Sequence, residues 1–331
     1  MGRFHALLAV RDEGDIIEQS LNHFTSWADV VHVFDTGSVD GTWESVKVMA
    51  RDDESIHPVG RKPVYFSLSK VRSHLFHEAR KHMQDGDWLL RVDADERYHI
   101  PPPAFVEKHM KPYEKVAKRQ YYDFRLTDKE VQWWKDGKEG IEDRGRPIED
   151  RRRFYTIKKS PEPRLCQYRP TMRWPPYASF PCNAGIIAEE PLPIRHYPHR
   201  DPVQMAKRFA LRSIQVRAEG SKTEKGLGHH WAVEDWKKDV IDGTREDLRY
   251  WEPGNSLPRI ERDDITTPEP TRLMKRLVYS LPLPVVDRMR EVYDSFRYGN
   301  NFDEKLDPLP PEIQERVREA YERIEKSSAS K

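Results

Sequence analysis

The strongest constraint on this chain is an alternation of buried-strand and helix signals through its first hundred residues, with acidic residues wherever a strand stops. Phe4 to Val10 is an apolar run that reads as a buried strand. Glu13 to Trp27 reads as a helix, because Ile17, Leu21, Phe24 and Ala28 recur at near-helical spacing. Val30 to Phe34 is a second strand and ends in Asp35. A helix from Trp43 to Ala50, a short strand near Ser55 to Val59 and a helix carrying Leu68, Val71, Leu75 and Ala79 follow. Trp88 to Val92 is then a central strand that stops at Asp93-Ala94-Asp95-Glu96. Short links and strict alternation predict α/β layers around a largely parallel sheet. Ligands of such sheets bind beyond the carboxyl ends of the strands. The acids at 11–15, 35–40 and 93–96 all fall there.

Regularity fades after Pro101. A helical stretch runs to about Lys118, a strand from Tyr121 to Leu126, and a charged segment from Lys135 to Arg153 that reads as a loop. Strand signals return at Phe154–Lys158, Arg164–Tyr168, Gly185–Ala188 and Ile194–Tyr197. A helix then opens at Asp201-Pro202, aspartate as N-cap and proline at the first helical position. From Thr266 the chain reads as helical and proline-punctuated. These signals divide the 331 residues into an α/β unit over 1–215 and a mainly helical region over 216–331.

Only 37% of residues are hydrophobic, but nine Trp, fourteen Tyr and twelve Phe let few, large side chains build the core. The net charge of +1 supplies no global field to attract nucleic acid or an anionic membrane, so any anion must be held locally. Cys166 and Cys182 match no paired-thiolate zinc spacing and are too few for a disulfide framework. With no run approaching ~18 apolar residues, the expectation is a cytoplasmic protein.

Two carboxylates at i and i+2 where a strand turns, Asp93 and Asp95, can both reach one hard divalent cation. In Asp35-Thr-Gly-Ser-Val-Asp-Gly-Thr two glycines permit positive φ, and Asp35 stands at a strand end. Its glycines fit neither the dinucleotide fingerprint nor a phosphate loop.

Four segments together, Leu8–Ile17, Val33–Thr42, Val71-Arg72 and Gly86–Glu96, resemble glycosyltransferase family 2 in order and spacing. The likeness covers roughly residues 4–97 and continues more weakly to about 210. It implies a GT-A fold, a Rossmann-like and mostly parallel sheet flanked by helices, here with a helical C-terminal extension. Residues 1–100 would form the donor-binding half and 101–215 the acceptor half. The resemblance further implies a nucleotide-sugar donor, a UDP-sugar first among them, and a divalent metal, Mn2+ or Mg2+. Transfer to a hydroxyl of a glycan, protein or lipid would invert the anomeric centre. By the same likeness Ala9, Val10, Arg11 and Glu13 line the base and ribose pocket, and Asp35 contacts the nucleoside. Arg72 would meet the diphosphate, Asp93 with Ala94 the ribose or metal, and Asp95 the metal at the catalytic centre. Where the family usually has asparagine before the glutamate, this chain has Asp12.

His196, ending a late strand in Ile194-Arg-His-Tyr-Pro-His-Arg, is the expected third metal ligand, with His199 in reserve and Arg195 and Arg200 beside it for phosphate. An inverting transfer needs a carboxylate base, and Glu189 and Glu190 are the candidates by position. The family's His-Glu pair is missing from the segment Ala178–Asn183. Trp133-Trp134 and Trp174–Tyr177 could stack on an acceptor or fill the core. One alternative is a nucleic-acid-binding protein using the basic run 144–159. Another is a sugar-phosphate nucleotidyltransferase, whose glycine-rich N-terminal loop this chain lacks.

Overall fold

A strand buried on both faces needs cover on both sides, and β1 (Phe4–Val10) is such a strand. Phe4, Ala6, Leu8 and Val10 enter one core layer while Leu7 enters the other. The computed structural model describes residues 2–65, 68–158, 160–219, 235–260, 267–298 and 305–329. After β1 come α1 (Ile17–Thr25), β2 (Val30–Asp35), α2 (Thr42–Asp52), β3 (Ile56–Arg61), α3 (Leu68–Ala79) and β4 (Trp88–Val92). β1 pairs in parallel with β2 and β4, and β2 in parallel with β3. The first hundred residues thus form the expected α/β layers. The first helix opens later than periodicity predicts. Ile16 and Ile17 N–H both donate to the Glu13 carbonyl, making a turn of 13–16 ahead of α1.

Beyond β4 the sheet is mixed, which corrects the mostly parallel expectation. β5 (Glu96–Tyr98), α4 (Pro102–His109) and β6 (Glu114–Phe124) come next. The helix read to Lys118 therefore stops at His109, and β6 begins where it was expected to continue. α5 (Asp128–Lys135), α6 (Ile148–Arg151), β7 (Phe154–Lys158), β8 (Pro163–Gln167), β9 (Ile186–Ile187), β10 (Leu192–His196), α7 (Pro202–Glu219) and β11 (Arg249–Tyr250) follow. The main path runs β11-β7-β6-β8-β4-β1-β2-β3. β8 is antiparallel to both β4 and β6, and β7 is antiparallel to β6 and β11. β10 joins β6 in parallel and β5 antiparallel.

α8 (Glu269–Tyr279), α9 (Leu283–Tyr298) and α10 (Pro311–Ala329) complete the described chain. The boundary expected at residue 215 falls inside α7, and Val317 and Tyr321 of α10 pack with Leu211 of α7. The charged segment 135–153 is tied inward. Arg152, fully buried, holds Glu139 at 2.9 Å, Arg151 meets the same carboxylate at 3.1 Å, and Arg144 grips Asp201 at 2.8 Å. These three arginines are spent within the protein, whereas Arg146, Arg153 and Lys158 of the same run reach solvent; Lys159 lies outside the described residues. Trp174 is core, its indole N–H donating to the Ala178 carbonyl, whereas Trp133 and Tyr177 are exposed.

Candidate functional site

The carboxyl ends of β1 and β4 open into a cavity of about 1130 Å³ that is also lined by β6, β8, α7 and α10. Register builds its centre. β10 lies between β5 and β6 with His196 opposite both Glu96 and Asp123, so the residues after β4 are carried to the end of β10. His196 Nδ1 is hydrogen-bonded to Asp123 Oδ1, and its Nε2 faces Asp95 Oδ2 at 3.5 Å. Tyr121 stacks on the imidazole with ring centroids 4.4 Å apart. Arg208 of α7 reaches the same Asp95 oxygen at 3.2 Å.

Asp93, two residues earlier, turns to arginines. Its Oδ1 accepts from Arg72 Nη2 at 2.9 Å and its Oδ2 from Arg164 Nη2 at 3.0 Å. Arg164 also meets Glu96 at 2.6 Å, and the Tyr121 hydroxyl donates to that carboxylate. At the nucleoside end predicted by the resemblance, Arg11 donates to the Thr36 carbonyl and to Asp12. Asp12 accepts from Val39 N–H at 2.7 Å and from the Tyr321 hydroxyl at 2.9 Å. Its φ of 53° is a conformation that aspartate and asparagine tolerate better than most residues.

Burial alone would neutralise these groups; where they stay charged, a partner wins. Asp95 is desolvated, yet His196, Arg208 and Arg200 hold its carboxyl well below the usual range. Asp93 is also desolvated, and Arg72, Arg164 and Arg91 drive it below that range. For His196, burial works against the charged ring, but Asp95 and Asp123 raise it to about 9. His196 is thus held as an imidazolium paired with Asp95 and Asp123. For Glu13 burial prevails over Arg200 and lifts the carboxyl to about 7.

Of the residues expected in the site, Ala9, Arg11, Glu13, Arg72, Asp93, Ala94, Asp95, His196 and His199 line the cavity. Val10 does not, because strand alternation points it into the core. Asp35 is also not on the cavity wall: fully buried, it accepts from the Gly37 and Ser38 N–H groups and ties its own turn. Glu189 and Glu190 lie elsewhere. Glu189 pairs with Lys111 at 2.5 Å and with Arg272, and Glu190 with His109 at 3.0 Å and Arg259 at 3.1 Å. Arg200 is spent on Asp15 and Glu13, and Arg195 on Glu149 and the face of Trp251.

Asp93, expected as a metal ligand, has an arginine on each of its oxygens. Among the described residues no group of three or more His, Cys, Asp or Glu side chains is disposed to hold a metal ion. Asp95 and His196 remain as two facing donors with a carboxylate behind the imidazole, the arrangement that orients ligating histidines. Two protein ligands suffice for an ion completed by substrate phosphates. Asp123, Arg164 and Arg208 went unread in the sequence. The signal for Asp123 was an acid in the otherwise aromatic strand Tyr121–Phe124.

No protein-family model matches the chain, and no curated protein does. Among solved structures it is similar to the mannosyltransferase PcManGT from Pyrobaculum calidifontis, in complex with GDP-Man and Mn2+, at 18% identity. The TM-score is 0.29 and the match covers 35% of this chain and 35% of that one. A likeness that short carries no argument about fold or activity.

Proposed function

We propose that the chain is a GT-A-type glycosyltransferase that moves a sugar, with inversion, from a nucleotide-sugar donor, a UDP-sugar first among candidates, to a hydroxyl acceptor. One observation carries the reading: Asp95, His196 and Asp123 are aligned at the strand ends of a large cavity whose next carboxylate, Asp93, gathers two arginines.

Asp95 and His196 would hold the divalent cation, which when bound takes up charge on the departing diphosphate. Asp123 keeps the proton on His196 Nδ1, so that Nε2 is turned toward Asp95. Arg72, fixed by Asp93, presents a charge-assisted donor beside them. With Glu189 and Glu190 away from the cavity, Asp239 is the proposed base. It lines the cavity with its side chain 37% exposed and His199 3.8 Å away, open to an entering hydroxyl. The domain reading continues with 1–100 as donor half and 101–215 as acceptor half.

Thermal shift with UDP and GDP, with Mn2+ and with chelator, tests this. Binding should raise the melting temperature only with metal, and Asp95→Asn should abolish the shift. Asp239→Asn should retain the shift while slowing turnover by about 100-fold or more. Equal stabilisation under chelation would defeat the metal role, and unchanged Asp239→Asn turnover would remove the base.

A further inference from the structure

We propose that the arm of the cavity walled by Arg91, Arg119 and Arg164 binds a phosphate monoester carried by the acceptor. The word acceptor rests on the transfer reading above; the anion site rests on the arginines themselves.

β4, β8 and β6 are neighbours in the sheet, and each sends one of these arginines to the cavity. On these antiparallel strands Arg91 follows Leu90 and Arg164 precedes its partner Leu165, so the two arginines come beside the same pair. All three are buried, at 2%, 4% and 2% exposure for Arg91, Arg119 and Arg164. Five of their nitrogens, Arg91 Nε, Arg119 Nε and Nη1, and Arg164 Nε and Nη1, have no hydrogen-bond partner in the protein. Buried donors left unmade are costly and rare, and the three side chains that carry them line the cavity wall.

The charges around them do not balance. Arg72, Arg91, Arg119, Arg164 and Lys158 stand against Asp93, Glu96 and Glu162, an excess of two positive charges. A phosphate monoester carries close to two negative charges at neutral pH, and guanidinium forks match its oxygens. Glu162 already shows how such an anion is taken: its carboxylate accepts from Arg91 at 2.6 Å and Arg119 at 3.1 Å.

The ring of Tyr121 separates this arm from the place proposed for the leaving diphosphate. His196 stacks on it with centroids 4.4 Å apart, and the Arg119 guanidinium carbon lies 3.4 Å from the same centroid. Two groups that close over one ring must take opposite faces. Arg119 and the Asp95–His196 pair therefore lie on opposite faces of Tyr121, with Arg164 at its hydroxyl edge.

Isothermal titration at constant ionic strength, with inorganic phosphate and methyl phosphate as probes and methyl sulfate as the monoanionic control, tests the site. Each is titrated into the full chain with and without saturating UDP or GDP plus Mn2+. The phosphates should bind with the nucleotide in place, and methyl sulfate more weakly. Arg119→Gln should weaken phosphate binding by about tenfold or more, leaving nucleotide affinity unchanged. Lys158→Gln, on an exposed side chain, should weaken it by a smaller factor without touching the fold. Competition between phosphate and nucleotide would overturn the proposal by assigning the arginines to the donor. Nucleotide binding with no phosphate binding would overturn it and leave the transfer reading standing. Phosphate binding without metal-dependent nucleotide binding would uphold the anion site and sink the transfer reading; absence of both would sink both.

Discussion

His32 is the middle ring of a histidine chain at the end of the sheet where β1 and β2 begin, opposite the cavity. His5 Nδ1 lies 3.0 Å from His32 Nε2, and His32 Nδ1 lies 3.0 Å from His57 Nδ1, with the His82 ring beside both. Burial, then neighbouring His5, His57, His82 and Arg3, lower His32 to about 2. A histidine whose folded value is depressed contributes stability that is whole above the unfolded value of about 6.5 and is lost as pH falls below it. Denaturant unfolding between pH 6 and 4 should therefore show stability falling, and His32→Gln should reduce that slope by about 1.4 kcal/mol per pH unit. An unchanged slope would mean that His32 takes up its proton in the folded state. The sequence showed acids at strand ends well, because a strand that stops in two carboxylates is a local pattern. It could not show that Asp93 would be claimed by Arg164, 71 positions away, or that Asp123 would stand behind His196. Those pairings depend on which strands become neighbours.

The same division holds for the elements. β1 to β4 and their helices were legible because each reports its own period and each connection is short. β8 and β10 were legible as strands but not in their partners, and β5 was not legible at all, because antiparallel and long-range pairing is encoded by no local period. The turn after β2 shows what a local reading can establish and where it errs. Gly37 takes φ 103°, and a Cβ there would meet Pro63 Cα at 2.7 Å and Arg11 Nη1 at 2.8 Å. Glycine is needed both for its dihedral and for its bareness. Asp35, however, is a tie for this turn. Gly37→Ala should cost on the order of 1–3 kcal/mol, read as a lower denaturation midpoint at constant m-value. Because Arg11 is displaced with the turn, nucleotide affinity should fall as well. A neutral Gly37→Ala would show that the turn can relax away from Pro63.

For the whole molecule, the near-equality of 57 basic and 56 acidic residues conceals internal pairing. Arg200 on Asp15 and Glu13, Arg152 on Glu139 and Arg144 on Asp201 consume charge between distant segments. The C-terminal helix joins this closure. Tyr321 of α10, 5% exposed, packs with Leu211 and Val317, lies under the Lys207 ammonium at 5.1 Å, and donates to Asp12 at the end of the cavity beside Arg11. Ahead of α10, Tyr65 N–H donates to the Asp307 carbonyl and Leu309 N–H to the Pro63 carbonyl, so the segment entering the helix is stitched to the turn after β3. If α10 is part of the α/β unit, damage to its contact must be felt everywhere. Tyr321→Ala should then shift a single cooperative unfolding transition by about 3–5 kcal/mol. Tyr321→Phe, which removes only the hydroxyl, should cost about 1 kcal/mol. A helical region folding by itself would give the opposite result: an early, separate loss of helix in Tyr321→Ala, with the main transition unmoved. Nucleotide binding distinguishes the two pictures again, because α10 walls the cavity beside Arg11 and Asp12. In the first picture Tyr321→Ala weakens UDP or GDP binding even where the sheet remains folded, and in the second it leaves that affinity alone.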